Sequence, residues 1–174
     1  MASKLDFATL GLQDALDLAI LIEEEAGERY REFQKLVGGR YHGDASDVFR
    51  FMAESEAKHH AELVAQRTRL FKGAARRVDR SWFEDVEAPD RGTPRVFMGP
   101  RQALQVALDS EVKAHDFFAG ALRHVKNPDV KVLFEMLRAE EAQHRVYVEE
   151  ALSGIPPGPD VEEADADQPG SDGG

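Results

Sequence analysis

The chain repeats itself at half-length, which restricts its fold more than any other feature. With an offset of 88 residues, Ala103 and Leu104 fall on Ala15 and Leu16, Ala107 on Ala19, Glu111 on Glu23, Ala114 on Ala26 and Phe118 on Tyr30. With an offset of 85, Phe134 falls on Phe49, Leu137 on Met52, Glu141 on Glu56 and His144 on His59. Each matched segment has apolar residues every three or four positions, the period of a helix with one buried face. The repeat is therefore a pair of related helical hairpins.

The first helix is expected over Thr9 to Val37, with Leu12, Leu16, Ala19, Ile22, Ala26, Tyr30, Phe33 and Val37 on one face and Gly38-Gly39 as its stop. The second opens after Gly43, with Asp44 or Ser46 as cap and Asp47 at the positive helix end, and runs to about Phe71. The third starts near Pro100 and continues to Val125. The fourth starts at Asn127-Pro128, a cap followed by a first-turn proline, and runs to about Leu152 before Gly154-Ile155-Pro156. Between the hairpins lies Lys72 to Gly99, with Trp82, Phe83, Val96 and Phe97 as apolar anchors. A connection this long crosses the length of a domain. Two short turns flanking one long crossover make an all-α four-helix bundle of ferritin-like topology, expected over residues 1–153.

Charge and composition narrow the function. There is no cysteine in the 174 residues, which excludes a disulfide scaffold, Cys-ligated zinc, a thiolate nucleophile and an iron-sulfur cluster. The net charge of -11 argues against a nucleic-acid partner, since phosphate recognition needs a basic face. Six of those charges lie beyond Gly154 in a Pro/Gly-rich stretch without Lys or Arg, so residues 154–174 read as a disordered acidic tail. No cationic leader and no apolar run of about 18 residues stands out, so the expectation is a cytoplasmic protein with no membrane partner.

A Glu-x-x-His pair places a carboxylate and an imidazole on adjacent turns of one helix face, about 5–6 Å apart at Cβ. One such pair carries little information. Here Glu56-His59 and Glu141-His144 occur in register, and the partner helices supply Glu23 and Glu111 at matched positions. Four Glu and two His from four helices form the ligand set of carboxylate-bridged di-iron or di-manganese bundles. Oxygen and imidazole donors suit Fe or Mn, and four carboxylates neutralise two divalent ions. Helix 1 offers Glu23, Glu24 and Glu25, which point about 100° apart. Glu23 is chosen because Ala19, Ala26, Gly27 and Tyr30 surround it, whereas Asp17, Glu28 and Arg31 put Glu24 on a solvated face.

Glu23 with Tyr30 two turns on, Glu56-x-x-His59, Glu111 and Glu141-x-x-His144 together resemble the di-iron site of the rubrerythrin branch of the ferritin-like superfamily. The resemblance spans about residues 10–152. It implies two Fe ions, with Mn as the alternative metal, and oxidation of Fe(II) or reduction of hydrogen peroxide, usually in a homodimer or larger oligomer. It also implies Glu56 and Glu141 as bridges, His59 and His144 as terminal ligands, and Tyr30 as a hydrogen-bonding or electron-donating neighbour. Rubrerythrins add a four-cysteine iron site and a further Glu one turn after the third-helix ligand; this chain has no cysteine, and Ala114 at that position. Those departures shift the implied activity toward a ferroxidase using O2 or H2O2 in iron storage or detoxification. The alternatives are a peroxide reductase with an external electron donor and a non-enzymatic metal-binding scaffold. Some ferritin-like proteins are carried in encapsulin shells by a short apolar peptide at the end of such a linker; the stretch Pro169-Gly170-Ser171-Asp172-Gly173-Gly174 is not such a peptide, and a shell is the lesser candidate partner beside an inert solubilising tail. Arg138 could hydrogen-bond a ligand carboxylate, His60 and His115 are expected beside the site or at the surface, and His42 and His124 carry no signal.

Overall fold

The computed structural model describes residues 5–37, 45–83, 86, 88–89 and 98–156. Four long helices form: α1 (Leu12–Val37), α2 (Ala45–Phe71), α3 (Pro100–Leu122) and α4 (Pro128–Ser153), with a 3-10 turn at Arg80–Trp82 in the crossover. α1 packs on α2 and α3 on α4 as two hairpins, while α2 also meets α3 and α1 meets α4. No strand occurs among the described residues. The architecture is the four-helix bundle of two hairpins and one crossover that the repeat requires.

The helix ends show local chemistry correcting the periodic pattern. α1 begins at Leu12 rather than Thr9, because Asp6 captures the Ala8 amide (3.0 Å) and the Thr9 hydroxyl (3.1 Å) in a separate turn. α2 begins at Ala45, which puts Ser46 inside the first turn; Asp44 and the glycines at 38, 39 and 43 lie outside the described residues. α3 stops at Leu122, short of Val125, as the amides of His124 and Val125 both turn back to the Ala121 carbonyl. α4 starts as its sequence predicts: the Asn127 side chain accepts from the Asp129 amide at 2.9 Å, with Pro128 in the first turn. Val96, Phe97, His42 and residues 157–174, most of the expected tail, lie outside the described residues.

The crossover runs along α1. Arg77 bonds Asp14 (3.0 Å to each oxygen), the Gln13 amide donates to the Ala75 carbonyl, Arg80 bonds Glu28 (2.9 Å), and buried Arg29 donates to the Pro89 carbonyl (2.9 Å). On the α3 side, Lys113 donates to the Ala88 carbonyl at 3.0 Å. The crossover's Val78, Phe83 and Val86 join the core cluster that holds Leu18 and Ile20. As a result α1 is buried on every side from Ala15 to Glu23, not on one face only.

That wrapping overturns the solvated placement of Asp17. Its carboxylate is fully buried and receives a two-pronged bond from Arg67 (2.9 and 3.3 Å), with Arg76 at 3.7 Å. Arg67 also donates to the carbonyls of Lys72 and Ala74, so one guanidinium ties α1, the end of α2 and the start of the crossover.

The apolar interior comes in two parts. One gathers Leu16, Leu63, Phe118, Phe134 and Leu137 at one end of the bundle. The other gathers Phe33, Phe49, Met52, Leu104 and Val148 at the opposite end. Glu23, Glu56, Glu111 and Glu141 lie between them in sequence on their four helices.

Candidate metal centre

All four carboxylates are buried, with relative exposures of 0–1%. A Glu side chain reaches such a position when it sits on the inward face of its helix, and the repeat puts one on that face of all four helices at matching positions. Of the three consecutive candidates on α1, Glu23 faces inward. Glu24 is two-fifths exposed and lies 3.5 Å from Arg80, and Glu25 lies 3.6 Å from Arg29.

Each hairpin builds one half of the centre. In the first, His59 Nδ1 lies 3.8 Å from Glu23 Oε2 and 4.0 Å from Glu56 Oε2. In the second, His144 Nδ1 lies 3.1 Å from Glu111 Oε2 and 3.7 Å from Glu141 Oε2. The two imidazoles stack nearly parallel, with centroids 4.8 Å apart and planes 6° apart, so the halves meet at the rings. Ligand atoms of Glu56, His59 and His144 lie within 4.8 Å of one another, as do those of Glu111, Glu141 and His144. The rings are slightly exposed, whereas the carboxylates are not, so access from solvent runs past the histidines.

Tyr30 is fully buried, stacks on Phe49 (6.2 Å) and donates its hydroxyl to Glu111 Oε1 at 3.3 Å. It both packs and holds a carboxylate of the centre. Phe118, its counterpart in the repeat, packs on Phe134 instead.

The donor set fits divalent ions. Four carboxylates in a desolvated interior carry a large charging cost unless cations meet them. His59 Nδ1 is buried and makes no hydrogen bond, although two carboxylates stand around it. A nitrogen aimed at carboxylates beyond hydrogen-bond distance is the arrangement an ion would complete, with oxygen and imidazole donors that suit Fe or Mn.

Burial, and after it the neighbouring His144 ring, hold the His59 imidazole below its ordinary pKa of 6.5, against the opposing pull of Glu62 and Glu111. The neutral ring, which binds metals, therefore persists to lower pH than for a free histidine. The unfolded chain takes up this proton first, so stability falls as the pH drops below about 6.5. An NMR titration of the metal-free protein is expected to place the His59 midpoint below 6.5; a midpoint at or above it would contradict a desolvated ring. At the rim, burial and then the Glu62 carboxylate push the Glu140 carboxyl above the usual range, despite His144 and Lys58.

The remaining candidates separate from the centre. Arg138 is exposed, so the suggested bond to a ligand carboxylate is not made; its position turns outward from the face that carries Glu141. His115 bonds the adjacent Asp116 (3.1 Å), His60 is partly buried, and His124 is exposed. Sequence reasoning missed Ser55, whose hydroxyl lies 3.0 Å from His144 Nε2. Its one signal is its place on α2 one residue before Glu56.

Residues 14–90, the first hairpin and most of the crossover, match the rubrerythrin family model. Among solved structures, an uncharacterised conserved protein of Magnetospirillum magnetotacticum is similar over 86% of this chain and 98% of its own, with 27% identity and a TM-score of 0.67. A hypothetical protein of Pyrococcus furiosus is similar over 84% of this chain and 90% of its own; at 20% identity and a TM-score of 0.51 it speaks to the fold alone. None of the curated proteins matches. No described helix is long and apolar enough to cross a membrane. The first hairpin and its crossover are thus similar to the rubrerythrin family, and the chain as a whole is similar in fold to the Magnetospirillum protein.

Proposed function

We propose that this protein is a di-metal oxidoreductase that oxidises Fe(II), with Glu23, Glu56, His59, Glu111, Glu141 and His144 holding two ions. The observation that carries the reading is the convergence of four buried carboxylates and two imidazoles from the two hairpins. Iron held there would supply one-electron chemistry toward O2 or peroxide. The chain's own contributions are placement and shielding. Glu56 and Glu141 would hold the ions together with the His of their own helices, which stand beside them. Tyr30 fixes Glu111 by a hydrogen bond, and the apolar clusters on either side exclude water from the carboxylates. The slightly exposed histidine edges leave a path for small substrates.

Ala114, buried one turn after Glu111, favours a ferroxidase over a peroxide reductase. A methyl group there cannot act as the additional carboxylate that rubrerythrins use in peroxide reduction. Metal-free protein titrated anaerobically with Fe(II) is expected to take up two ions per chain and then oxidise them with O2. Oxidation by peroxide with little response to O2 would move the assignment to the peroxide reductase. Failure to bind Fe(II) would remove both enzyme readings.

A further inference from the structure

The two halves of the centre are not held alike. His144 is fixed at both ring nitrogens: Nδ1 lies 3.1 Å from Glu111 Oε2, and Nε2 lies 3.0 Å from Ser55 Oγ. His59 Nδ1 makes no hydrogen bond, and its nearest carboxylate oxygen is 3.8 Å away. Ser55 belongs to α2 and His144 to α4, so the hydroxyl of the first hairpin orients the imidazole of the second. In the repeat, the position equivalent to Ser55 is Glu140. The clamp is not reproduced by a second serine.

We infer that Ser55 is a positioning residue that orients the His144 ring and makes the metal position on the second hairpin the tighter of the two. This rests on the di-metal reading. A hydroxyl both donates and accepts, whereas an ionised carboxylate only accepts. Ser55 therefore matches either neutral form of the ring. It accepts from Nε2–H in the form that leaves the Nδ1 lone pair free for an ion, and it donates to Nε2 in the form that directs Nδ1–H at Glu111. The ring plane stays fixed in both. Fixing it also preserves the parallel stack against His59. An outer partner of a metal-binding histidine sets ring orientation and form, and losing one typically costs about 10- to 100-fold in metal affinity.

The test uses the full chain with Ser55→Ala and Ser55→Thr. Anaerobic calorimetric titration with Fe(II) is expected to show two ions for the parent. In Ser55→Ala the tighter equivalent weakens about 10- to 100-fold while the other stays within about twofold, and Ser55→Thr restores the parent profile. On metal-free protein, 15N NMR is expected to show the His144 nitrogens shifted in Ser55→Ala with those of His59 nearly unmoved. The inference is overturned if Ser55→Ala titrates like the parent, if both equivalents weaken together, or if the His144 nitrogens do not move. If the parent binds no Fe(II), the proposed function fails, and the NMR comparison alone decides the orienting role of Ser55.

Discussion

Replacing Glu56 and Glu141 together by alanine is expected to reduce Fe(II) oxidation by more than about 100-fold while the bundle stays helical. The size follows from their place: each is buried at the centre and adjacent to the His of its own helix, so the double variant strips a carboxylate from both halves. Losing only an outer hydrogen-bond partner of a metal ligand typically costs about 10- to 100-fold, and removing two of the proposed ligands themselves is expected to cost more. The fold tolerates the change because two effects oppose one another. Each truncation leaves a cavity, and each removes a carboxylate whose burial was itself unfavourable. Metal-free parent and variant should therefore melt within about 5 °C, a difference of about 1–2 kcal/mol for a chain of this size. With Fe(II) added anaerobically, the parent's midpoint should rise and the variant's should not, because only a folded state that binds the ion is stabilised by it. Undiminished turnover in the double variant would refute the centre.

The second large effect is structural. Arg67→Ala is expected to destabilise the metal-free protein by about 3 kcal/mol, the low end for removing one partner of a buried ion pair. Asp17 would remain fully buried with Arg76, at 3.7 Å, as its nearest remaining cation. The lost bonds to the Lys72 and Ala74 carbonyls add to the cost by releasing the crossover's first turn. Thermal melting should show a fall of about 6–12 °C. Asp17→Asn combined with Arg67→Ala should recover part of the loss, since it removes the stranded charge. A single variant as stable as the parent would show that the Arg67 pairing does not stabilise the fold.

The four helices and their crossover were legible because helix period and the Asn127-Pro128 and Gly-Pro signals are local. The burial of the four carboxylates was legible for a different reason: the repeat placed Glu23, Glu56, Glu111 and Glu141 in register, so each position was read twice. Asp17 was misread because its burial depends on Arg67, fifty residues on, and on a crossover that lacks any periodic signal. The outward turn of Arg138 and the contact of Ser55 with His144 were equally hidden. Both depend on how the hairpins rotate against each other, and a single helix's pattern does not encode that angle. Arg29 belongs to the same group, since its buried bond goes to the Pro89 carbonyl in the crossover.

A core divided by a carboxylate layer has consequences for how the molecule opens. Apolar contacts are concentrated toward the two ends of the bundle, while the middle holds four buried carboxylates that lack the apolar packing of the ends. Without metal, backbone amides near Glu23, Glu56, Glu111 and Glu141 should exchange with solvent faster than those beside Phe118 and Phe134 or beside Phe33 and Phe49. The two ends then behave as partly independent cooperative units. Loading the centre joins them, so the ions would act as a mechanical coupling between two half-bundles as well as a redox site.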